Sequence, residues 1–196
     1  MPKIAAATVA EHREQIRGAL VDAAEQILRA GEPLTAGVVS SAAGIARNSI
    51  YRYVDSVDDL RGMVLARYLP AWDRAVSDAL APLSDPGDRI VAWVRVNLEQ
   101  ADSTGHSWLM DISRGGGTPS SATAEVADYA HRILRDALGS AWLDLVADKE
   151  TARLQSALTL GLLQAAFQQL DSPIPTDRVI AATEQAARAL VEASRP

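Results

Sequence analysis

The chain has 196 residues with a formal charge of −6, 48% hydrophobic residues and no cysteine. That length supports a substantial core in one or two domains, and the missing cysteines exclude disulfides and thiolate ligation or catalysis. The apolar run from Leu158 to Leu163 contains Thr159 and Gly161 and then meets Gln164, far short of the roughly 18 to 20 residues of a membrane span.

Residues 1–9 read as a loose tail with a single Lys and too short an apolar region for a signal peptide, so the expected location is cytoplasmic. Glu11 to Ala30 has the pattern of an amphipathic helix, with Ile16, Leu20, Ala23, Ile27 and Leu28 on one stripe and Arg13 and Arg17 on the other side. Gly31-Glu32-Pro33 stops it. Two short helical segments then flank Ala43-Gly44-Ile45, the first opened by Thr35. Gly44 takes positive φ at low cost and suits the corner of a tight helix–helix turn. In the second segment Ile50 and Val54 are one turn apart and should face inward. That leaves Asn48, Ser49, Tyr51 and Arg52 outside, with Arg47 in the first turn. From Pro33 to Val54 the only charges are Arg47 and Arg52. A short helix of this kind is what a major-groove reader presents, and equally what an ordinary exposed helix presents. Ser56-Val57-Asp58-Asp59 has capping-box spacing and opens the next helix.

That helix is expected over Val57 to Tyr68, with Leu60, Met63, Val64 and Leu65 buried and Pro70 ending or kinking it. Ala71 to Leu80 follows as a separate helix, and Asp85-Pro86-Gly87-Asp88 breaks before Arg89 to Gln100. A short piece at Trp108 to Ile112 leads to the loop Gly115 to Pro119. Residues 121–146 form one long helix or a pair split near Gly139, followed by Lys149 to Leu170 and Asp177 to Ala193. No strand-like alternation appears, so the fold class is all-α.

The last two helices each carry a stripe suited to close helix approach. Leu154, Leu158, Gly161, Leu162 and Ala165 form the first, and Val179, Ala182, Thr183, Ala186 and Leu190 the second. The stripes fit either a two-fold four-helix interface or the interior of one subunit. Residues 1–68 hold eight cations and eight acids, so the acidic excess lies entirely beyond them. A coater of nucleic acid with a strongly basic surface is therefore unsupported, whereas a reader with a small local positive patch fits. The isolated His106 and His131 have no metal-ligand spacing, and no nucleophile elbow, phosphate loop or dinucleotide fingerprint occurs. No catalytic residues, metal or cofactor are expected.

The stretch Thr35, Val39, Ala43-Gly44-Ile45, Ile50-Tyr51, Tyr53 and Ser56 to Leu60 resembles the DNA-binding signature of the TetR family of transcriptional regulators. Ala23 to Leu28 and Gly31 fit upstream, and the match covers roughly residues 10–68. The resemblance implies an N-terminal three-helix helix-turn-helix domain, residues 1–56, joined to a C-terminal helical domain, residues 57–196, for ligand binding and dimerisation. It implies a homodimeric repressor that reads a palindromic operator of double-stranded DNA and is released by a small-molecule effector of unknown identity. Arg47, Asn48, Ser49 and Tyr51 would meet base edges or the groove wall, and Thr35, Arg52 and Tyr53 phosphates. A pocket in the second domain would be walled by Trp93, Asn97, Trp108, Met110, Tyr129 and Phe167, each of which ordinary core packing also explains. Three positions depart from the family pattern. Ala46 replaces the usual capping Ser, Val54 a core Phe, and Val57 a Lys. They keep open a second reading, a helical small-molecule binding protein without specific DNA reading.

Overall fold

The computed structural model describes residues 6–105 and 121–195. The expected helical piece at 108–112 and the glycine loop after it, with Trp108 and Met110, lie outside the described residues. These contain helices α1 (Ala6–Arg29), α2 (Ala36–Ala42), a 3-10 helix (Arg47–Arg52), α3 (Val57–Leu80), α4 (Pro86–Thr104), α5 (Ser121–Val146), α6 (Lys149–Leu170) and α7 (Thr176–Ser194). No strand occurs among them, and the all-α expectation holds.

Described residues 6–68 and 121–127 make one compact unit, and 69–105 and 128–195 a second. The first division falls inside α3, between Tyr68 and Leu69, whereas the expected 56/57 boundary marks where that helix begins. In the first unit α1 starts at Ala6, earlier than expected, because Ala-Ala-Thr-Val contains no breaker and Ala is the best helix former. Leu20, Val21, Ala23, Ala24, Ile27 and Leu28 are buried, while Ile16 is only half-buried. The helix closes on Gly31 at φ +69°, where Gly31 and Glu32 donate their N–H groups to the carbonyls of Leu28 and Ile27. That paired closure is the Schellman arrangement, which satisfies two otherwise orphaned carbonyls.

α3 and α1 are joined by a polar network at the end of this unit. Arg67 contacts Asp22 at 2.7 Å and Glu25 at 3.2 Å, and Arg29 contacts Glu25 at 3.1 Å. Arg29 also donates to the Tyr68 hydroxyl at 2.8 Å, and that hydroxyl donates to Glu25. Burial pushes the Glu25 carboxyl up, but the hydrogen bonds from Tyr68, Arg29 and Arg67 outweigh it and hold the group below its ordinary value.

Within α3, Leu60, Val64 and Leu69 are buried, whereas Met63 and Leu65 are half-buried. Pro70 does not end the helix, which continues to Leu80. A proline there costs the bond to the Ala66 carbonyl, and buried Leu69 and Val76 supply packing on both sides of it.

In the second unit α4 is the centre. Ile90, Val91, Trp93, Val94, Asn97, Leu98 and Ala101 are buried, and α4 packs on α6 and α7. The sequence Asp85-Pro86-Gly87-Asp88 proves to be a helix start. Asp85 caps the N–H of Asp88 at 2.9 Å with Pro86 in the first turn, the arrangement that helix N-termini favour. α5 passes Gly139 unbroken. Buried Trp142 donates to Thr159 at 3.0 Å, and Trp72 donates to the fully buried Asn97 at 2.8 Å. Arg95 forms a bidentate pair with Glu184, both bonds 2.6 Å, tying α4 to α7.

Candidate nucleic-acid interface

Thr35 opens α2 in extended geometry, φ −128° and ψ 153°, and its hydroxyl oxygen accepts from the Val38 N–H at 3.3 Å. The capping role is therefore filled, while the residue remains exposed. α2 ends as α1 does. Gly44 at φ +70° and Ile45 donate to the carbonyls of Ser41 and Ser40, a second Schellman closure that sets the corner. Only glycine takes this conformation without strain, so Gly44 fixes the angle at which the next segment leaves.

That segment, Arg47–Arg52, is a single 3-10 stretch instead of the expected α-helix. Its N-terminal residue Ala46 is extended and offers no side-chain cap, so the first N–H groups gain nothing from a hydroxyl. Only residues 47–55 lie between that start and the following cap at Ser56, and six of them form this tighter helix. The consequence is geometric. With three residues per turn, Arg47, Ile50 and Tyr53 share one edge, Asn48 and Tyr51 a second, and Ser49 and Arg52 a third.

Burial does not follow that spacing alone, since Arg47 is exposed on the edge that Ile50 buries. Ile50 is fully buried and Val54 nearly so. Arg47, Asn48, Tyr51 and Arg52 are exposed, and Ser49 and Tyr53 are half-buried. Arg47 leans over α2, since a Cβ built on Gly37 would lie 4.0 Å from its Cδ and Nε. Tyr51 is 59% exposed, an unusual position for a large ring. In this unit Arg29, Arg61 and Arg67 are engaged by acids, whereas Arg47 and Arg52 have no acidic partner among the described residues. Two free guanidiniums, an amide, a hydroxyl and a projecting phenol thus share one short, anchored surface. Such groups match phosphate oxygens and base edges.

The capping box after this surface forms as the spacing predicts. Asp59 accepts from the Ser56 N–H at 2.7 Å, and Ser56 accepts from the Asp59 N–H at 3.1 Å.

Four of the six residues expected to wall a pocket are among the described residues. Trp93, Asn97 and Phe167 are buried. Asn97 donates to the Trp93 carbonyl at 2.8 Å and accepts from Trp72, a partner that no sequence periodicity reveals because the two residues sit on different helices. The Trp93 indole N–H is buried with no acceptor. Tyr129 stands elsewhere in the same unit, donating to Asp73 at 2.9 Å at the edge of a cleft of about 290 Å³ with Val76, Leu80, Ile133 and Asp136. Trp108 and Met110 are outside the described residues.

Of the expected interface stripes, Leu154 and Leu158 are 59% and 50% exposed, and Gly161, Ala165, Ala182 and Ala186 are also exposed. Leu162 and Leu190 are half-buried. Val179 and Thr183 instead turn into the subunit, where the Thr183 hydroxyl donates to the Val179 carbonyl. No cluster of metal-binding side chains occurs among the described residues, and none of their helices is long and apolar enough to cross a membrane.

No family model and no curated protein matches the chain. Solved structures do. A TetR-family transcriptional regulator from Bordetella parapertussis 12822 superposes with a TM-score of 0.63 at 18% identity, over 89% of this chain and 94% of that one. AibR, solved with isovaleryl coenzyme A and operator DNA, gives 0.65 at 15% identity over 87% and 96%. The fatty acid degradation regulator FadR from Bacillus halodurans gives 0.63 at 14% identity over 89% and 97%. The fold is therefore the one found in TetR-family transcriptional regulators.

Proposed function

We propose that the chain is a homodimeric, ligand-responsive transcriptional repressor located in the cytoplasm. The observation that carries this reading is the unpaired Arg47 and Arg52 beside exposed Asn48 and Tyr51, on a segment pinned by buried Ile50 immediately after the Gly44 corner. Arg47, Asn48, Ser49 and Tyr51 would read the groove, while Thr35, Arg52 and Tyr53 would hold phosphates. AibR, which has this fold, is solved on operator DNA, and that supports the assignment. Each subunit would read one half-site, with reading segments about 34 to 36 Å apart in the bound state. The exposed apolar stripe of α6, with Leu154 and Leu158, would bring two copies together.

An effector entering the second unit would bind one subunit arrangement better than the other and so lower operator affinity. The Trp93 N–H, buried without an acceptor, suits a ligand carbonyl or carboxylate, since an unmatched buried donor costs about 1 to 3 kcal/mol until it is satisfied.

The test is a gel shift with duplexes selected on the purified protein. Arg47→Ala and Tyr51→Ala should each abolish specific retardation while leaving the dimer mass unchanged. Normal binding by both variants would defeat the site assignment. The second reading, a helical ligand binder without DNA reading, is favoured by the uncapped Ala46. It predicts no saturable DNA binding at low salt, whereas a reader loses affinity steeply as salt rises.

A further inference from the structure

The second unit carries a groove that the operator-binding reading does not use. It has a volume of about 430 Å³ and lies between one face of α5, at Arg135, Gly139 and Leu143, and the first turns of α6, at Lys149, Arg153 and Leu160. Three cations in one groove stand out in an acidic chain. Elsewhere in the unit some arginines are matched to acids. Arg89 meets Asp144 at 2.9 Å, Arg95 meets Glu184 at 2.6 Å, and Arg195 meets Asp85 at 3.0 Å. Arg135, Lys149 and Arg153 have no acidic partner among the described residues and are exposed.

The floor between them is apolar. Leu143 is 38% exposed there, and Ala152, Ala157 and Leu160 line the α6 side. Gly139 makes the floor deeper, because a Cβ at that position would meet nothing within 4 Å. The absent side chain is not required by helix packing and leaves open space over the groove. Most of this face of α6 is turned away from the Leu154 and Leu158 stripe, which it meets at Ala157. At about 100° per residue, Ser156 and Leu160 point well over 100° away from Leu158 around the helix.

We propose that this groove binds a small organic anion with an apolar body, of the class of a medium-chain carboxylate. Lys149 and Arg153, one turn apart on α6, would hold the carboxylate through charge-assisted hydrogen bonds, and the chain would lie over Gly139 toward Leu160. The size fits a small ligand, since about 430 Å³ falls within the roughly 300 to 1,000 Å³ of small-ligand sites. The charge decides against a neutral or cationic guest, because three unneutralised cations rim an otherwise apolar surface. The site stands whether or not the chain reads DNA.

The experiment is calorimetric titration of the full-length chain with decanoate, and with acetate and decyltrimethylammonium as probes of the charge and the chain separately. One saturable decanoate per subunit is expected, with no heat from the other two at the same concentrations. Arg153→Glu should weaken decanoate about tenfold, as reversing one charge-assisted contact implies, and Arg153→Lys should retain most of it. Gly139→Leu should abolish binding by filling the floor, with no fall in Tm because the position is open. Absence of decanoate binding overturns the proposal. So does undiminished binding in both Arg153→Glu and Gly139→Leu, which would put the ligand elsewhere. A change in assembly mass on either substitution, seen by sedimentation, would assign the groove to a second copy of the chain and likewise overturn it.

Discussion

A Cβ placed on Gly62 would lie 2.9 Å from the Thr123 hydroxyl oxygen and 3.0 Å from the Thr123 Cα, so α5 begins in contact with the backbone of α3. The same hydroxyl donates to the Asp58 carbonyl at 3.3 Å. Gly62→Ala should therefore destabilise the protein. Alanine gains about 1 kcal/mol of helix propensity over glycine, but overpacking against a backbone atom costs about 1 to 3 kcal/mol. A Tm lowered by several degrees is expected, at roughly 2 to 4 °C per kcal/mol for a chain of this size. Gly18→Ala is the control. A Cβ there meets nothing within 4 Å, and calorimetry should find its Tm raised.

Much of the first unit was legible because its determinants are local. Gly31 and Gly44 close helices through bonds spanning six residues, and Ser56 and Asp59 cap each other three residues apart. Sequence spacing contains all of that. The roles of Pro70 and Asp85-Pro86 are not legible for one reason, that a proline's effect depends on what surrounds it. Buried packing carries α3 past Pro70, whereas a capping Asp85 turns Pro86 into a helix start. The 3-10 form of Arg47–Arg52 turns on a competition between caps that periodicity does not register. In the second unit the pairing of Trp72 with Asn97 and the inward turn of Val179 and Thr183 depend on which helices meet. A single helix's pattern does not encode that.

Ala46→Ser should stabilise the reading segment. Ala46 already has the extended geometry of an N-cap, φ −66° and ψ 139°, and lacks only an acceptor oxygen. A serine there should contribute about 0.5 to 1 kcal/mol. If the segment reads DNA, less of it has to be ordered on binding, and operator affinity should rise by a few-fold. Amide exchange at Asn48 and Ser49 should slow in the free protein. Unchanged exchange would mean that the missing cap is not what limits the order of this segment.

The network around Glu25 predicts an acid-sensitive first unit. Its folded-state pKa lies below the ordinary 4.5, because the donors Tyr68, Arg29 and Arg67 outweigh the cost of burial. A depressed carboxylate contributes its full stabilisation above the ordinary value and loses it as pH falls through the folded one. Glu25→Gln should therefore be less stable than the parent at pH 7, and the gap should close on acidification below about pH 4. Urea midpoints across that range measure it. A gap that stays constant with pH would show that the network acts by packing and not by charge.

Arg52→Ala separates phosphate binding from base reading. Arg52 is exposed with no acidic partner among the described residues, so its removal should leave the fold unchanged. Taking one cation away from a phosphate of B-DNA weakens binding about equally across sequences and flattens the slope of log affinity against log salt by about 0.9. Titrations of operator and of a scrambled duplex at several salt concentrations give both quantities. If the scrambled duplex is unaffected while the operator weakens, Arg52 belongs among the base readers with Arg47.

Subunit association offers the sharpest contrast between the two faces of α6. Leu154 and Leu158, one turn apart and 59% and 50% exposed, expose apolar surface in an isolated chain, and Gly161 and Ala165 beside them let another helix approach closely. Leu158→Glu places a charge at the centre of that stripe. The residue is half in solvent, so the isolated fold has little to lose, whereas an interface would have to bury an unpaired carboxylate costing several kcal/mol. Sedimentation at micromolar concentration should change from a dimer to a monomer with the helical content preserved. Operator affinity should fall with it, since a palindrome held by one reading segment loses the gain from linked binding. A dimer of unchanged stability would place the subunit contact on another face and leave the α6 stripe without a role in assembly.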